Sequence, residues 1–467
     1  MESARSWLTP AAEPPVVCDE LSNAEAHRIA LEGWAGDLTT TANSLAAGPQ
    51  GSVRLKVLKA QAAFLRAGLT GDKEDATSTV QACQEAIRAC KEVEAPVGWG
   101  SWAASFVVSL EPQSAPAREA AALRALSEMY LAVALGMQQQ WMLAPMALRR
   151  ALAGFGKLPE EEGTSDAAAP PPAIRSLGLG VLAMLLALLP RPIAGLLTLG
   201  VGSLSSLFGP AGPTEAVGEA LLSRAASCAV GPSQCWDGSA AWLAQVVLLL
   251  FSAGKPGAVA PPDEHDGGAA AASAPPNPVT PPDEHDGGAA AASAPPNPVH
   301  RRLAALDEAL PGSLVVAWLG GSVLRKVGML GEASARLEYV LRRSAELELG
   351  FVLHRVCFNV AQVRYACLAY GEAAAALAPL LEPSCAYTAK GMCALHRAAA
   401  LAALGEAEAA RECMRMVQRV AEAGGGRLDR QLALRAQGWL ARSEADLPLC
   451  SLEVRRDRGL HQSLGEV

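Results

Sequence analysis

Aromatic residues make up only 4% of this 467-residue chain, and charged residues only 18%. Strand-forming β-branched and aromatic side chains are scarce beside alanine and leucine, which removes the usual material of a sheet and leaves an all-α chain as the expectation. A surplus of positive charge is also missing. The formal net charge is −8, which speaks against a general binder of phosphate backbones, so no nucleic acid is expected as a partner. None of the eleven cysteines stands in a C-x-x-C pair, so the common zinc spacing is absent and buried free thiols in a reducing compartment are expected. There is no N-x-S/T acceptor, no charged-then-apolar leader at the first residues and no prenylation box at the last, which makes a cytoplasmic protein the expectation. P-loop, H-E-x-x-H and G-x-S-x-G signatures are likewise missing. The expectation is no enzyme, no cofactor and no metal.

Helical periodicity fills most of the chain. Residues 1–20 are Pro-rich and read as a disordered N-terminus. A helical pattern then runs from Ala24 to Leu45, followed by a pair at 53–69 and 75–94 with Gly68, Gly71 and Asp72 as its turn. An aromatic-rich stretch at 98–110 and a pair within 117–156, with Pro145 near the start of its second helix, complete an N-terminal helical region at 21–156. Residues 157–173 read as a loop. The segment 177–208 is the most apolar, with Arg191 its one charge. Pro190 and Pro192 split it into runs of 13 and 16 residues, each short of the roughly 18–20 a membrane span needs. Two short buried helices are expected there, with peripheral membrane contact as the alternative. Together with helices at 214–230 and 239–251 they form a region of apolar hairpins at 174–251.

The unit PPDEHDGGAAAASAPPNPV occupies 261–279 and again, unchanged, 281–299. Such composition cannot build a core, so 252–300 is expected to be a disordered tandem-repeat insert. His265 and His285 sit among acidic neighbours in it, but a flexible segment offers a metal no preorganised geometry. Beyond the insert, at 301–445, a motif recurs: Leu330-Gly331-Glu332-Ala333, Tyr370-Gly371-Glu372-Ala373 and Leu404-Gly405-Glu406-Ala407, at spacings of 40 and 34 residues. Each copy stands between two helical stretches: 314–327 and 332–347, 351–369 and 372–382, 386–403 and 406–422. Glycine suits the turn, and glutamate suits the start of the second helix, where the dipole favours a negative charge. The expected fold is a helical-repeat, tetratricopeptide-like solenoid of stacked helix pairs, with a C-terminal tail at 446–467. Polar residues on the first helices, Arg325, Asn359 and Arg364, are the expected contacts for a protein partner.

Two further patterns have ordinary readings. Gly178-x-Gly180-x-x-Ala183 matches a dinucleotide fingerprint in form, but no βαβ unit surrounds it. His354 with Cys357, and Cys393 with His396, put two zinc-type ligands on each of two helices, and packing positions in an Ala-rich array are the plainer reading.

Three stretches resemble the tetratricopeptide repeat protein 39 family, which includes fungal inclusion body clearance proteins of the mitochondrial outer membrane. Leu177 through Pro190-Arg191-Pro192-Ile193 looks like the family's apolar G-x-G-x-F-N-L-x-L-S-x-L-P segment and the helix after it. Leu310-Pro311-Gly312-Ser313-Leu314 through Gly328 to Ala333 looks like its P-x-G-S entry to a repeat. The pair at 351–381 and the pair starting near Tyr387 follow in the family's order. The resemblance covers roughly residues 20 to 445. The chain departs from the family in its few aromatics, in the insert, and in stopping near where further repeats are expected. The resemblance implies a non-catalytic scaffold, cytoplasmic or associated with the mitochondrial outer membrane or the nucleus, with a role in lipid handling or protein quality control.

Overall fold

A computed structural model describes residues 21–70, 73–94, 115–140, 142–158, 172–188, 194, 207–210, 212–228, 235–254, 297–347, 349–385, 387–423 and 427–456. The described residues form eighteen α-helices, two short 3-10 turns and no strand. The helices are α1 (Asn23–Ala35), α2 (Leu38–Ala47), α3 (Val53–Thr70), α4 (Lys73–Glu94), α5 (Ala115–Met137), α6 (Leu143–Lys157), α7 (Pro172–Leu188), α8 (Glu215–Ala226) and α9 (Cys235–Gly254). Then come α10 (Pro298–Ala309), α11 (Leu314–Lys326), α12 (Leu330–Glu346), α13 (Gly350–Ala366), α14 (Tyr370–Leu377), α15 (Lys390–Ala403), α16 (Ala407–Glu422), α17 (Arg427–Leu440) and α18 (Pro448–Arg456). The expected stretch at 98–110 and nearly all of the insert lie outside the described residues.

From α1 to α17, helices adjacent in sequence pack against each other, and α3, α5, α7, α9, α11, α13, α15 and α17 also touch one another in that order. Each pair thus contributes its first helix to a continuous row. The row curls back on itself, because α3 also touches α13. Helix α1 begins the same alternation, against α2 and α3, and also lies against α9 and α11.

The repeat register differs from the one the Gly-Glu-Ala letters suggest. A left-handed residue precedes the second helix at Gly328 (φ 90°), Leu368 (φ 66°) and Gly405 (φ 79°). At each site the same two backbone bonds form. Met329, Ala369 and Glu406 donate back to Leu324, Arg364 and Leu401, and Ala333, Ala373 and Ala410 donate to Met329, Ala369 and Glu406. Gly405 is therefore the counterpart of Gly328, not of Gly331, and the third motif is displaced by three residues. The intervals are 40 and 37 residues rather than 40 and 34. In this register the small positions Gly321, Ala361 and Ala398 face Ala333, Ala373 and Ala410, and Leu337, Leu377 and Met414 fill the space beside them, all buried. Small residues at both positions let the helices of a pair approach closely, and close packing makes every added methyl felt.

Leu368 holds a conformation that glycine takes at the other two turns. A left-handed backbone costs an L-residue about 1–2 kcal/mol, and the Leu368 side chain is 54% exposed, so little packing offsets that cost. Leu368→Gly is expected to stabilise the chain by roughly 0.5–1 kcal/mol once the entropy of the unfolded glycine is counted. A thermal melt that falls instead of rising would contradict this.

Three boundaries move. The helix expected from Ala24 to Leu45 is two helices, broken where Gly36 turns left-handed and Asp37 caps α2 by accepting from the Thr40 N–H. The last residues of the second tandem unit are helical: the Asn297 side chain caps the Val299 N–H, and Val299 is fully buried at the start of α10. Residues 448–456, expected in the tail, form α18, which packs on α15 and buries Cys450 and Val454.

The apolar segment is half accounted for. In α7, Leu177, Leu179, Leu182, Ala183 and Met184 are at most 1% exposed, covered by α5, α6, α8 and α9. Most of its expected second helix lies outside the described residues. One described helix, within α5, is long and apolar enough to cross a membrane, and 78% of that window is buried inside the protein. The Gly178-x-Gly180 pair is a packing device. A Cβ on Gly178 would overlap the Phe155 ring of α6, and one on Gly180 would sit 2.8 Å from Leu222 Cγ of α8.

Candidate partner-binding site

Two of the three residues expected to meet a partner bond within the chain. Asn359 on α13 is 6% exposed and donates through Nδ2 to Ser322 Oγ on α11 at 3.2 Å, tying consecutive first helices together. Arg364 at the end of α13 pairs with Glu372 of α14 at 3.5 Å. Arg325 lies in the last turn of α11, half-buried.

What covers the row of first helices is α1. Its start is set locally. The Ser22 side chain accepts the Glu25 N–H, and the Glu25 carboxylate accepts the Ser22 N–H, a reciprocal cap that satisfies two helix-end donors. These bonds hold the Glu25 carboxyl below its ordinary range. Ala26, Ile29, Ala30, Gly33 and Trp34 are buried along one face, while Ala24, Glu25, Arg28 and Leu31 are exposed along the other.

Both ends of α1 are tied down by distant residues. At its start, Arg54 of α3 donates to the Leu21 carbonyl at 2.8 Å and forks onto Glu119 of α5 at 2.8 and 2.9 Å. Trp236 Nε1 of α9 donates to the same carboxylate at 3.1 Å. At its end, the Ser313 hydroxyl donates to the Trp34 carbonyl, and Gly36 presses on Leu314, where a Cβ would meet the leucine Cβ at 2.7 Å.

Between these ties α1 packs through its rings against α9. Trp242 of α9 packs edge-on against Trp34, centroids 6.2 Å apart, and tilted against His27 at 5.8 Å. The Nε1 atoms of Trp34 and Trp242, Nδ1 of His27, both amide atoms of Gln61, Ser239 Oγ and Gln245 Oε1 are buried with no hydrogen-bond partner. Gln61 is 3% exposed and Ser239 1%. Trp242 is the one of these α9 residues whose ring meets α1. Burial lowers the pKa of His27, so its ring is neutral near pH 7.

Cys83, Cys393, Glu128 and His396 are each packed or paired. Burial pushes the thiols of Cys83 and Cys393 up to about 12, so neither supplies a thiolate at neutral pH. Both oxygens of the buried Glu128 face Arg150 at 2.9 Å, an ion pair rather than an acid–base dyad. His396 Nδ1 bonds the Met392 carbonyl within its own helix, and its ring lies edge-on to Phe358. Among the described residues no three His, Cys, Asp or Glu side chains stand close enough to hold a metal ion, so His354, Cys357, Cys393 and His396 do not form a four-ligand site. A cleft beside α11 is lined by Asp307, Ser313, Arg336 and Tyr339. There Arg336 is held by Asp307, and the Tyr339 hydroxyl donates to the Gly312 carbonyl.

The covering helix was within reach of sequence reasoning. Ser22-x-x-Glu25 before an apolar helix is a start signal, and Gly36-Asp37 is a stop followed by a cap. That α1 also meets α9 and α11 rests on contacts far along the chain, which no local signal carries. No family model matches the chain, and no curated protein matches it.

Proposed function

We propose that this chain is a non-catalytic helical-repeat scaffold of the tetratricopeptide type that binds protein partners through a helix or extended peptide. The observation that carries the reading is the shared turn: Gly328, Leu368 and Gly405 close consecutive pairs with the same backbone bonds, so that first helices align in a row. Stacked pairs of this kind bury a continuous core and leave an extended face for recognition. The family resemblance adds lipid handling or protein quality control as the setting, in the cytoplasm or at the mitochondrial outer membrane. A peripheral membrane role through 177–208 has less support, since the α7 part of that segment is spent on the core.

The test is cross-linked capture with the full-length chain as bait, compared with the variant carrying Arg325→Glu and Arg364→Glu. The expected result is at least one protein captured reproducibly by the wild type and about tenfold less by the variant, a difference of about 1.4 kcal/mol in binding. No reproducible partner with either bait would overturn the scaffold reading. Equal capture by both would move the contact surface away from these arginines.

A further inference from the structure

Each first helix from α1 to α15 lies against the second helix that follows it. The next first helix, α17, packs on α16 and α15 behind it. The helix that follows it goes elsewhere. Helix α18 packs on α15 and meets α17 near its end, where Glu453 accepts from Trp439 Nε1 at 2.8 Å and from Arg442. Among the described residues, the place of a second helix beside α17 is therefore open.

The open side has a definite pattern. Leu432, Ala436 and Trp439 are buried on the inner side of α17. Arg430, Leu434 and Gly438, with Ala441 just past the helix, are exposed. At about 3.6 residues per turn these four form one stripe on the opposite side. Leu434 is 69% exposed, more than any other leucine among the described residues. A Cβ on Gly438 would meet nothing within 4 Å, whereas one on Gly321 would meet Leu337 of its second helix at 2.7 Å.

The earlier pairs show what a second helix brings. It sets a small residue against the first helix and, four residues on, a leucine or methionine beside it, as Ala333 with Leu337, Ala373 with Leu377 and Ala410 with Met414. Helix α17 carries such a set itself, a leucine four residues from a glycine. Turned antiparallel, a second α17 places its Ala441 beneath Leu434 and its own Leu434 above Ala441, and the two Gly438 residues pass near the middle. The charges favour the same direction. Arg430 stands eight residues before Gly438, and Asp446, exposed in the turn after α17, eight residues after it. Antiparallel copies bring Arg430 of each toward Asp446 of the other, whereas parallel copies set like charges side by side.

We propose that α17 forms the interface of a two-fold dimer, in which a second copy of this chain lays its own α17 antiparallel in the open place. The stripe is self-complementary, as a two-fold contact requires. One helix against one helix is smaller than a standard specific interface, so the dimer is a weak one, with Kd of about 10–100 μM. This pairing of copies goes beyond the scaffold reading and does not depend on it.

The test is sedimentation equilibrium of the full-length chain from about 1 to 300 μM. The expected result is a mass that rises with concentration from one chain toward two. Leu434→Glu changes a side chain already in water, so the fold is kept, and association is expected to weaken at least about tenfold. Arg430→Asp is expected to weaken it about threefold, and Arg430→Asp combined with Asp446→Arg to recover that loss. Circular dichroism checks that each variant keeps its helices. A wild-type chain that stays monomeric up to about 300 μM overturns the proposal, and so does a dimer that Leu434→Glu leaves as tight as before. A charge swap no tighter than Arg430→Asp alone overturns the antiparallel arrangement.

Discussion

Replacing Glu119 with alanine is expected to lower stability by about 3–5 kcal/mol, the cost of stranding a buried charge. Its carboxylate gathers three helices. Arg54 of α3 forks onto it, Trp236 of α9 donates to it, and it stands on α5. The side chains of Arg54 and Glu119 are only 13% and 19% exposed, so water screens the pair little. Removing the acid leaves the guanidinium and the indole N–H without it. The reading is a lower urea midpoint at unchanged slope. The double change Arg54→Met with Glu119→Leu is expected to restore most of the loss, since hydrophobic replacement of both partners is often neutral. An unmoved midpoint in the single variant would show that the carboxylate ties nothing.

The second large effect is at the contact of α6 and α7. Gly178 faces the fully buried Phe155 ring, and an added Cβ would overlap it. Gly178→Ala is expected to cost about 1–3 kcal/mol by overpacking, and Phe155→Ala about 3–5 kcal/mol by opening a cavity. Together they should cost at least about 1 kcal/mol less than the two added, because the new methyl has the vacated ring space to enter. Strict additivity in denaturant melts would mean that the two residues do not meet.

The all-helical character and most helix boundaries were legible in the sequence because they follow from periodicity and from local turn chemistry. α3, α4, α12 and α16 begin and end within a few residues of where the apolar spacing puts them. The third repeat motif misled for a physical reason. Leu404-Gly405-Glu406-Ala407 repeats the letters of the earlier copies, but the turn needs its left-handed residue two positions before the second helix. In the third copy the motif's own glycine, Gly405, fills that place, whereas Gly331 and Gly371 of the earlier copies already lie inside their second helices. Leu368 takes the turn position without being glycine, which no pattern of glycines reveals. Helix position alone does not mark a contact residue, as Asn359 shows. A polar residue on a first helix serves equally well to bond the next first helix, and here it bonds Ser322. The covering helix depended on Ser313 reaching Trp34 across 279 residues.

The contact of α3 with α13 bears on how such a chain can grow. An open array tolerates the gain or loss of a unit, because each unit meets only its neighbours. Between α3 and α13 that freedom is gone, since one more pair would carry the two helices out of register and release α1 from its seat. Length can still change in the connections, where doubling a loop costs only about 0.6 kcal/mol in closure entropy. The one unaltered duplication in this sequence, at 261–279 and 281–299, falls between α9 and α10 save for its last two residues, Pro298 and Val299, which begin α10.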